Sequence, residues 1–368
     1  VLAPASKASH PFPKETSLPH QVPAYAAPSA GAKLGPTTIE RRDPRARDVV
    51  IEITHCGVCH SDVHQARDEW GGSTFPMVPG HEIVGRVVRV GAEVTRIAVG
   101  DTAGVGCLVD SCHECAFCRE GLEQFCEKGA AATYNGTEMD RKTRTFGGYS
   151  RSVVVDERFV LKVPKSLDPA RAAPLLCAGI TTYSPLKLWK CSPGQRVGVV
   201  GLGGLGHMAV KLAHAMGAEV TLFSTSASKA ADAERLGAKH FVATKDKGAI
   251  ESQKGRFDLL IDTVSAEHDY NAHLATLRPR GTMVLVGAPP TAQPIRAFSL
   301  IGGAKRLVGS AIGGIPETQE MLEFCAAHGV EADVERISID AINTAYDRML
   351  KSDVRYRFVI DLATLPAA

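Results

Sequence analysis

The stretch Arg196–Ser226, RVGVVGLGGLGHMAVKLAHAMGAEVTLFSTS, decides the architecture of half the chain. A short run of β-branched residues gives way to a glycine-rich turn, apolar residues then recur at helical spacing, and a second apolar run follows: strand, turn, amphipathic helix, strand. The turn, Gly201-Leu202-Gly203-Gly204-Leu205-Gly206, is a G-x-G-x-x-G, and inside a βαβ unit of about thirty residues that string points to dinucleotide binding. Its glycines allow a tight turn and let the backbone approach a pyrophosphate, whose charge is favoured at the helix N-terminus. Glycines that serve packing alone are the alternative. The end of the second strand selects the cofactor. An NAD site usually carries Asp or Glu about twenty residues after the first glycine. This chain has Phe223-Ser224-Thr225-Ser226 there, with Lys229 following. Small hydroxyls and an ammonium suit a 2′-phosphate, so NADP(H) is expected; capping of the next helix is the other use of these residues.

The same alternation continues through HFVAT, FDLLIDTV and TMVLVG to about Leu307–Ser310, predicting a doubly wound parallel sheet. Beyond it ETQEMLEFCAAHG and INTAYDRMLKSD read as helices and RYRFVID as a strand, expected to return to the first domain. Upstream, from Val49, the runs VVIEITH, EIVGRVVRVG and DTAGVGCLVD are short and broken by glycine, so the first half is an irregular, largely β unit. At 368 residues the chain exceeds what one core usually serves, and two domains are expected. A formal net charge of +2 with interspersed signs gives no footprint for nucleic acid or an anionic membrane. No apolar run approaches the ~18 residues of a membrane span. The first residues are rich in Pro, Ala and Ser and read as a flexible extension followed by one irregular strand; the start at Val1 leaves a removed signal peptide open.

Two sets of cysteine and histidine carry the metal chemistry. Cys59, with Asp62 close by, and His81, with Glu82 next to it, are a thiolate and an imidazole on separate segments, ligand types that suit zinc. No local pair closes the set, which suggests three ligands and an open position, with Cys177 in APLLCAGITTY as the third; unrelated packing residues are the alternative. The second set, Cys112, Cys115, Cys118 and Cys126, has the spacing C-x2-C-x2-C-x7-C on a segment with little apolar residue to bury, which matches a closed zinc site. An iron–sulfur cluster is the rival, but ferredoxin-type runs continue C-x3-C-P and this one does not. The lobe is acidic, which argues against a nucleic-acid-binding knuckle. Free-looking cysteines elsewhere favour a reducing, cytoplasmic setting.

The segments Gly80–Gly91, Cys112–Cys118, Ala173–Leu186, Gly201–Ala213 and Val354–Asp361 together resemble the zinc-dependent medium-chain alcohol dehydrogenases. The resemblance is closest to the NADP-dependent cinnamyl alcohol dehydrogenase-like branch, which includes bacterial broad-range aldehyde reductases, and it runs from about Pro19 to Leu362. It implies a GroES-like catalytic domain over residues 19–177 and 314–368, a Rossmann domain over 178–313, and an extension over 1–18 outside the family pattern. It also implies two zinc ions per chain. The catalytic one falls on Cys59, His81 and Cys177 with Glu82 behind it and Asp62 orienting His81; the structural one falls on the four closely spaced cysteines. Ser61 takes the hydroxyl position at the substrate oxygen and His64 the end of a proton relay. Thr181 is placed by the nicotinamide, and His60 and Arg357 near the cofactor phosphates. Trp70 and Gly72 stand where the branch has aliphatic residues, and Ala132 and Ala311 where aromatic ones are common. Trp70 is therefore expected in a rearranged substrate wall.

The function expected is hydride transfer between NADP(H) and a small aldehyde or primary alcohol, by a homodimer, with broad-range aldehyde reduction favoured. Glutathione-dependent formaldehyde or polyol oxidation on the same scaffold is the runner-up, and a non-catalytic NADP-binding sensor is the third reading.

Overall fold

The structure, a computed structural model, describes residues 20–366, so the expected extension over residues 1–18 lies outside the described residues. The chain divides into two compact units. The first comprises the chain up to Leu176 together with Arg336–Lys351 and the segment from Phe358 onward; the second comprises Cys177–Glu335 and Ser352–Arg357.

The first unit is built on the strand Asp48–Val58, in which Val49, Ile51 and Ile53 are buried while Glu52 is exposed, the period-two pattern of a strand with one covered face. Ile83–Val90 pairs with it antiparallel, and so do Ser152–Asp156 and the C-terminal strand Arg357–Asp361. The sheet has seven strands, with Thr102–Val105, Leu161–Lys162 and Val334–Ser338 completing it. A separate antiparallel hairpin, His20–Ala26 with Gly35–Arg41, replaces the single early strand expected. The long strand ends at Val58, one residue before Cys59, and its partner begins at Ile83, one residue after Glu82. Because the pair is antiparallel with Cys56 opposite Ile83, the end of one strand lies beside the start of the other.

The second unit is a six-stranded parallel sheet in the order His240–Ala243, Glu219–Ser224, Arg196–Val200, Phe257–Asp262, Leu277–Leu285, Arg306–Gly309. With chain order set against spatial order this is 3-2-1-4-5-6, the doubly wound arrangement whose crevice lies beyond the carboxyl ends of the first and fourth strands. Burial on both faces explains the unbroken apolar runs: Val197, Val199, Leu222, Phe223, Leu260 and Ile261 are all buried. Val200, Phe223, Phe257, Leu260, Leu274 and Met283 share its core.

The return to the first unit comes later than the expected residue 314. Helix Ile315–His328 belongs to the second unit, where the Tyr183 hydroxyl donates to Glu320 at 2.9 Å and the Tyr183 and Phe324 rings lie 5.5 Å apart. Its apolar stripe of Met321, Leu322 and Cys325 is buried there, and the chain passes into the first unit only at Arg336. No described helix is long and apolar enough to cross a membrane.

Candidate active site and metal centres

Cys59, His81, Glu82 and Cys177 form one buried group, with a potential ligand atom of each lying within 4.8 Å of the others. The adjoining strand ends at Val58 and Ile83 deliver Cys59 and the His81–Glu82 pair, and Cys177 follows directly on Leu176, the last residue of the first unit's long segment. Room for Glu82 is made by Gly57: a Cβ there would lie 1.9 Å from the Glu82 carboxylate oxygen Oε2. Two thiols, an imidazole and a carboxylate, all buried and converging, are a donor set suited to zinc. Asp62, on the helix His60–Ala66, is fully buried and faces His81 Nδ1 at 3.1 Å. Burial works against a charged imidazole, but the Asp62 carboxylate outweighs it and holds the His81 pKa well above its ordinary value. Ser61 Oγ lies 3.7 Å from Cys59 Sγ, while His60 is exposed at the start of the same helix.

The four closely spaced cysteines also converge, with their sulfurs within 4.8 Å of one another and no disulfide among them. Backbone N–H groups are aimed at the sulfurs: Cys112 donates to Cys126 Sγ, Cys115 to Cys112 Sγ and Cys118 to Cys115 Sγ, at 3.4, 3.4 and 3.5 Å. Such donors stabilise thiolates. Burial, joined by the neighbouring Cys115 and Cys126, pushes the Cys118 thiol up to about 12, so a cation is what would let the four ionise together.

In the second unit the glycine turn shows a different use for each glycine. Gly201 has a φ of +92°, and a Cβ on Gly206 would sit 2.1 Å from the Gly201 carbonyl oxygen. A Cβ on Gly203, the helix N-cap, would meet nothing within 4 Å, so the space in front of the helix N-terminus is open. Arg357 lies against Gly204, where a Cβ would come 2.8 Å from the guanidinium nitrogen Nη1. Ser224 ends its strand and is buried, with the Ser226 N–H donating to its hydroxyl at 3.3 Å; Thr225 is exposed. The Lys229 ammonium donates 2.6 Å to the carbonyl of Leu202, inside the glycine turn. The strand end carries no carboxylate. Thr181 is buried one turn beyond Cys177, its N–H donating to the Cys177 carbonyl.

Comparison with known proteins agrees with this two-unit fold. Residues 45–165 match the alcohol dehydrogenase GroES-like domain and residues 204–327 the zinc-binding dehydrogenase domain. The chain is 54% identical over 346 residues (94% of the chain, 99% of the relative) to a protein of Bacillus subtilis named probable formaldehyde dehydrogenase AdhA. It is 54% identical over 345 residues (94% and 99%) to NADP-dependent alcohol dehydrogenase C 1 of Mycolicibacterium smegmatis. The chain belongs to the zinc-dependent medium-chain alcohol dehydrogenases. Among solved structures, the crystal structure of CAD from Helicobacter pylori complexed with NADP(H) is similar with a TM-score of 0.87 and 41% identity, over 94% of this chain and 99% of that one.

In this alcohol dehydrogenase the structure places Trp70 and His64, which the sequence singled out, and His207 and Asp333, which carried no sequence signal. Trp70 is 57% exposed and stacks on the His64 ring, with centroids 5.0 Å apart, so it is no core tryptophan. His64 Nδ1 is hydrogen-bonded to Glu69. His207 is buried behind the glycine turn, its Nε2 accepting from the Asp333 N–H at 3.3 Å and its ring stacked on Tyr356 at 5.2 Å. Burial, reinforced by Lys211 and Arg357, depresses its pKa to about 3. Asp333 in turn takes the backbone N–H groups of Tyr356 and Arg357 on its carbonyl, which fixes the segment carrying Arg357.

Proposed function

We propose that the protein reduces uncharged aldehydes with NADPH, using a catalytic zinc held by Cys59, His81 and Cys177 and a second, structural zinc held by Cys112, Cys115, Cys118 and Cys126. The observation that carries this reading is the buried convergence of Cys59, His81, Glu82 and Cys177. A zinc ion there supplies Lewis acidity toward the substrate oxygen. The chain's own residues do the rest. Asp62 holds the His81 ring in one orientation. Ser61 hands a proton to the oxygen as hydride reaches the carbon, and His64, oriented by Glu69, replenishes it. Gly201, Gly203, Gly204, Leu205 and Gly206 cradle the pyrophosphate, with Arg357 and His60 adding positive charge. Ser224, Thr225, Ser226 and Lys229 bind the 2′-phosphate, and Thr181 lies by the nicotinamide. Trp70 contributes to the substrate wall.

The absence of disulfides among the described cysteines supports a reducing, cytoplasmic setting. Strand Arg306–Gly309 pairs on one side only among the described residues, and that open edge supports a homodimer; a monomer by light scattering at micromolar concentration refutes it. Neither the charge balance nor the described helices support a nucleic-acid or membrane partner. The decisive experiment combines metal analysis with NADPH oxidation across an aldehyde panel. Two zinc per chain, with turnover lost on chelation before the protein unfolds, is expected; one zinc in fully active enzyme overturns the assignment. The Bacillus relative's name makes formaldehyde the second reading, tested by adding formaldehyde with and without glutathione to the same assay.

A further inference from the structure

The segment Phe146-Gly147-Gly148-Tyr149-Ser150 takes no direct part in the proposed chemistry, yet it is clamped onto the residues that precede His81. The N–H groups of Gly147, Gly148 and Tyr149 donate to the carbonyls of Val78, Gly80 and Pro79 at 2.8, 2.9 and 3.1 Å. The two glycines are required by closeness: a Cβ on Gly147 would lie 2.2 Å from the Pro79 carbonyl oxygen, and one on Gly148 would lie 2.5 Å from the Ile83 side chain. From the far side Arg41, only 7% exposed, fastens the same turn. Its guanidinium donates to the carbonyls of Phe146 and Gly147 and to the Ser150 hydroxyl at 2.8, 3.1 and 2.9 Å. Gly80, at a φ of +104°, leaves space for the Tyr149 ring, which a Cβ would meet at 2.7 Å. Held in this way, the fully buried Tyr149 donates its hydroxyl to Asp62 Oδ2 at 3.2 Å.

That bond completes a set. Asp62 Oδ2 also accepts from the Cys59 N–H at 2.9 Å, and Oδ1 accepts from the Gly80 N–H and meets His81 Nδ1, both at 3.1 Å. A carboxylate offers about four lone-pair sites, and here each is taken. Two partners are backbone, one is a proposed zinc ligand, and Tyr149 is the remaining side chain. We infer that Tyr149 is a positioning residue for the catalytic metal, fixing the Asp62 carboxylate so that Cys59 and His81 are presented together; this role rests on the proposed zinc assignment. Burial and the adjacent Asp62 hold the Tyr149 phenol well above its usual pKa, so it remains a donor at any working pH. Tyr134 is buried and stacks on the His81 ring with centroids 5.8 Å apart, a second contact to the same imidazole.

The test follows zinc release from the purified full-length protein to 4-(2-pyridylazo)resorcinol for wild type, Tyr149→Phe, Asp62→Asn and the double variant. Tyr149→Phe keeps the ring and removes the one hydrogen bond. One zinc per chain should leave about tenfold faster, the scale typical of lost partners behind metal ligands, while the other zinc keeps its rate. In the Asp62→Asn background the Tyr149→Phe change should have no further effect, and in cobalt-substituted protein the visible band should move in the single variants. Ser150→Ala, which removes one anchor of the turn, should speed release of the same zinc to a lesser degree and serves if Tyr149→Phe does not fold. Release at the wild-type rate from Tyr149→Phe or, where that variant does not fold, from Ser150→Ala overturns the inference. So does an equal acceleration by Tyr149→Phe in the Asp62→Asn background, because that is the mark of general packing. Failure of the underlying assignment has a separate signature: a His81→Ala protein that still purifies with two zinc per chain.

Discussion

Gly203 and Gly206 stand three residues apart in one turn, and substituting each by alanine should damage different properties. At Gly206 the added methyl would sit 2.1 Å from the Gly201 carbonyl oxygen, a backbone atom that cannot swing away. Overpacking of this kind costs about 1–3 kcal/mol, which for a unit of this size lowers the melting temperature by about 2–12 °C. At Gly203 the methyl would meet nothing in the protein. The residue is the helix N-cap, where alanine is less suited than glycine, and that preference sets a stability cost of at most about 1 kcal/mol. On the proposed cofactor assignment, the methyl would stand where a phosphate approaches the backbone N–H groups of the helix N-terminus. Displacing one charge-assisted hydrogen bond loses about 1.5–3 kcal/mol, or roughly 10- to 150-fold in Kd. Thermal melts of the two cofactor-free proteins and NADPH titration by fluorescence give both numbers. A Gly203→Ala protein that binds NADPH as tightly as wild type would refute the reasoning, and so would one that melts as low as Gly206→Ala.

Other consequences are testable in the same preparations. Ser224→Asp should reverse the preference for NADPH over NADH, since a carboxylate at that strand end repels a 2′-phosphate and accepts from a 2′-hydroxyl; a wild type that uses both cofactors equally contradicts the assignment. Trp70→Ala should weaken benzaldehyde-like substrates about tenfold more than acetaldehyde in kcat/KM, if ~1.4 kcal/mol of contact is lost. Equal losses for both would leave Trp70 as a cover for His64 alone. The pH dependence of stability follows from His207, whose folded pKa of about 3 lies below its ordinary 6.5. Between those values the unfolded chain binds the extra proton, so the neutral imidazole's contribution is complete above about pH 6.5 and falls away as pH drops toward 3, by about 2 kcal/mol at pH 5. His207→Gln should flatten that part of the melting profile; an unchanged acid limb points to other groups.

The residues that announced themselves in the sequence are those whose types and spacing, taken together, few packing roles require. Cysteines at Cys59 and Cys177, His81, the four-cysteine run and the glycine turn could be read because few physical roles use those types at those spacings. The nearly continuous apolar runs of the second unit likewise encode a sheet covered on both faces. Other features had no such signal. Helix Ile315–His328 has an apolar stripe, but a stripe does not say which core it will join, so the boundary expected at residue 314 falls at Arg336 instead. Nothing in the sequence marks Arg41 or Arg42, yet Arg41 is buried against the backbone carbonyls of Phe146 and Gly147 and Arg42 is paired with Glu138. Tyr149 is an ordinary tyrosine between a glycine pair and a serine until the fold brings it to Asp62. Contacts such as these join residues far apart in the chain, and no local pattern records them.

The strand Arg357–Asp361 pairs directly with the end of Asp48–Val58, with Phe358 opposite Val58 and Ile360 opposite Cys56. The scaffold that presents Cys59 thus lacks one of its flanking strands until Arg357–Asp361 has been made, whatever the second unit has done in the meantime. Pairings of such long range close slowly, because chain entropy is lost before the contacts form. During synthesis Cys59 and His81 therefore sit on an unfinished sheet, while the intervening segment can complete its own parallel sheet first. On the proposed zinc assignment, a chain lacking Arg357–Asp361 should lose its hold on a metal at Cys59 and His81 before its parallel sheet is disturbed.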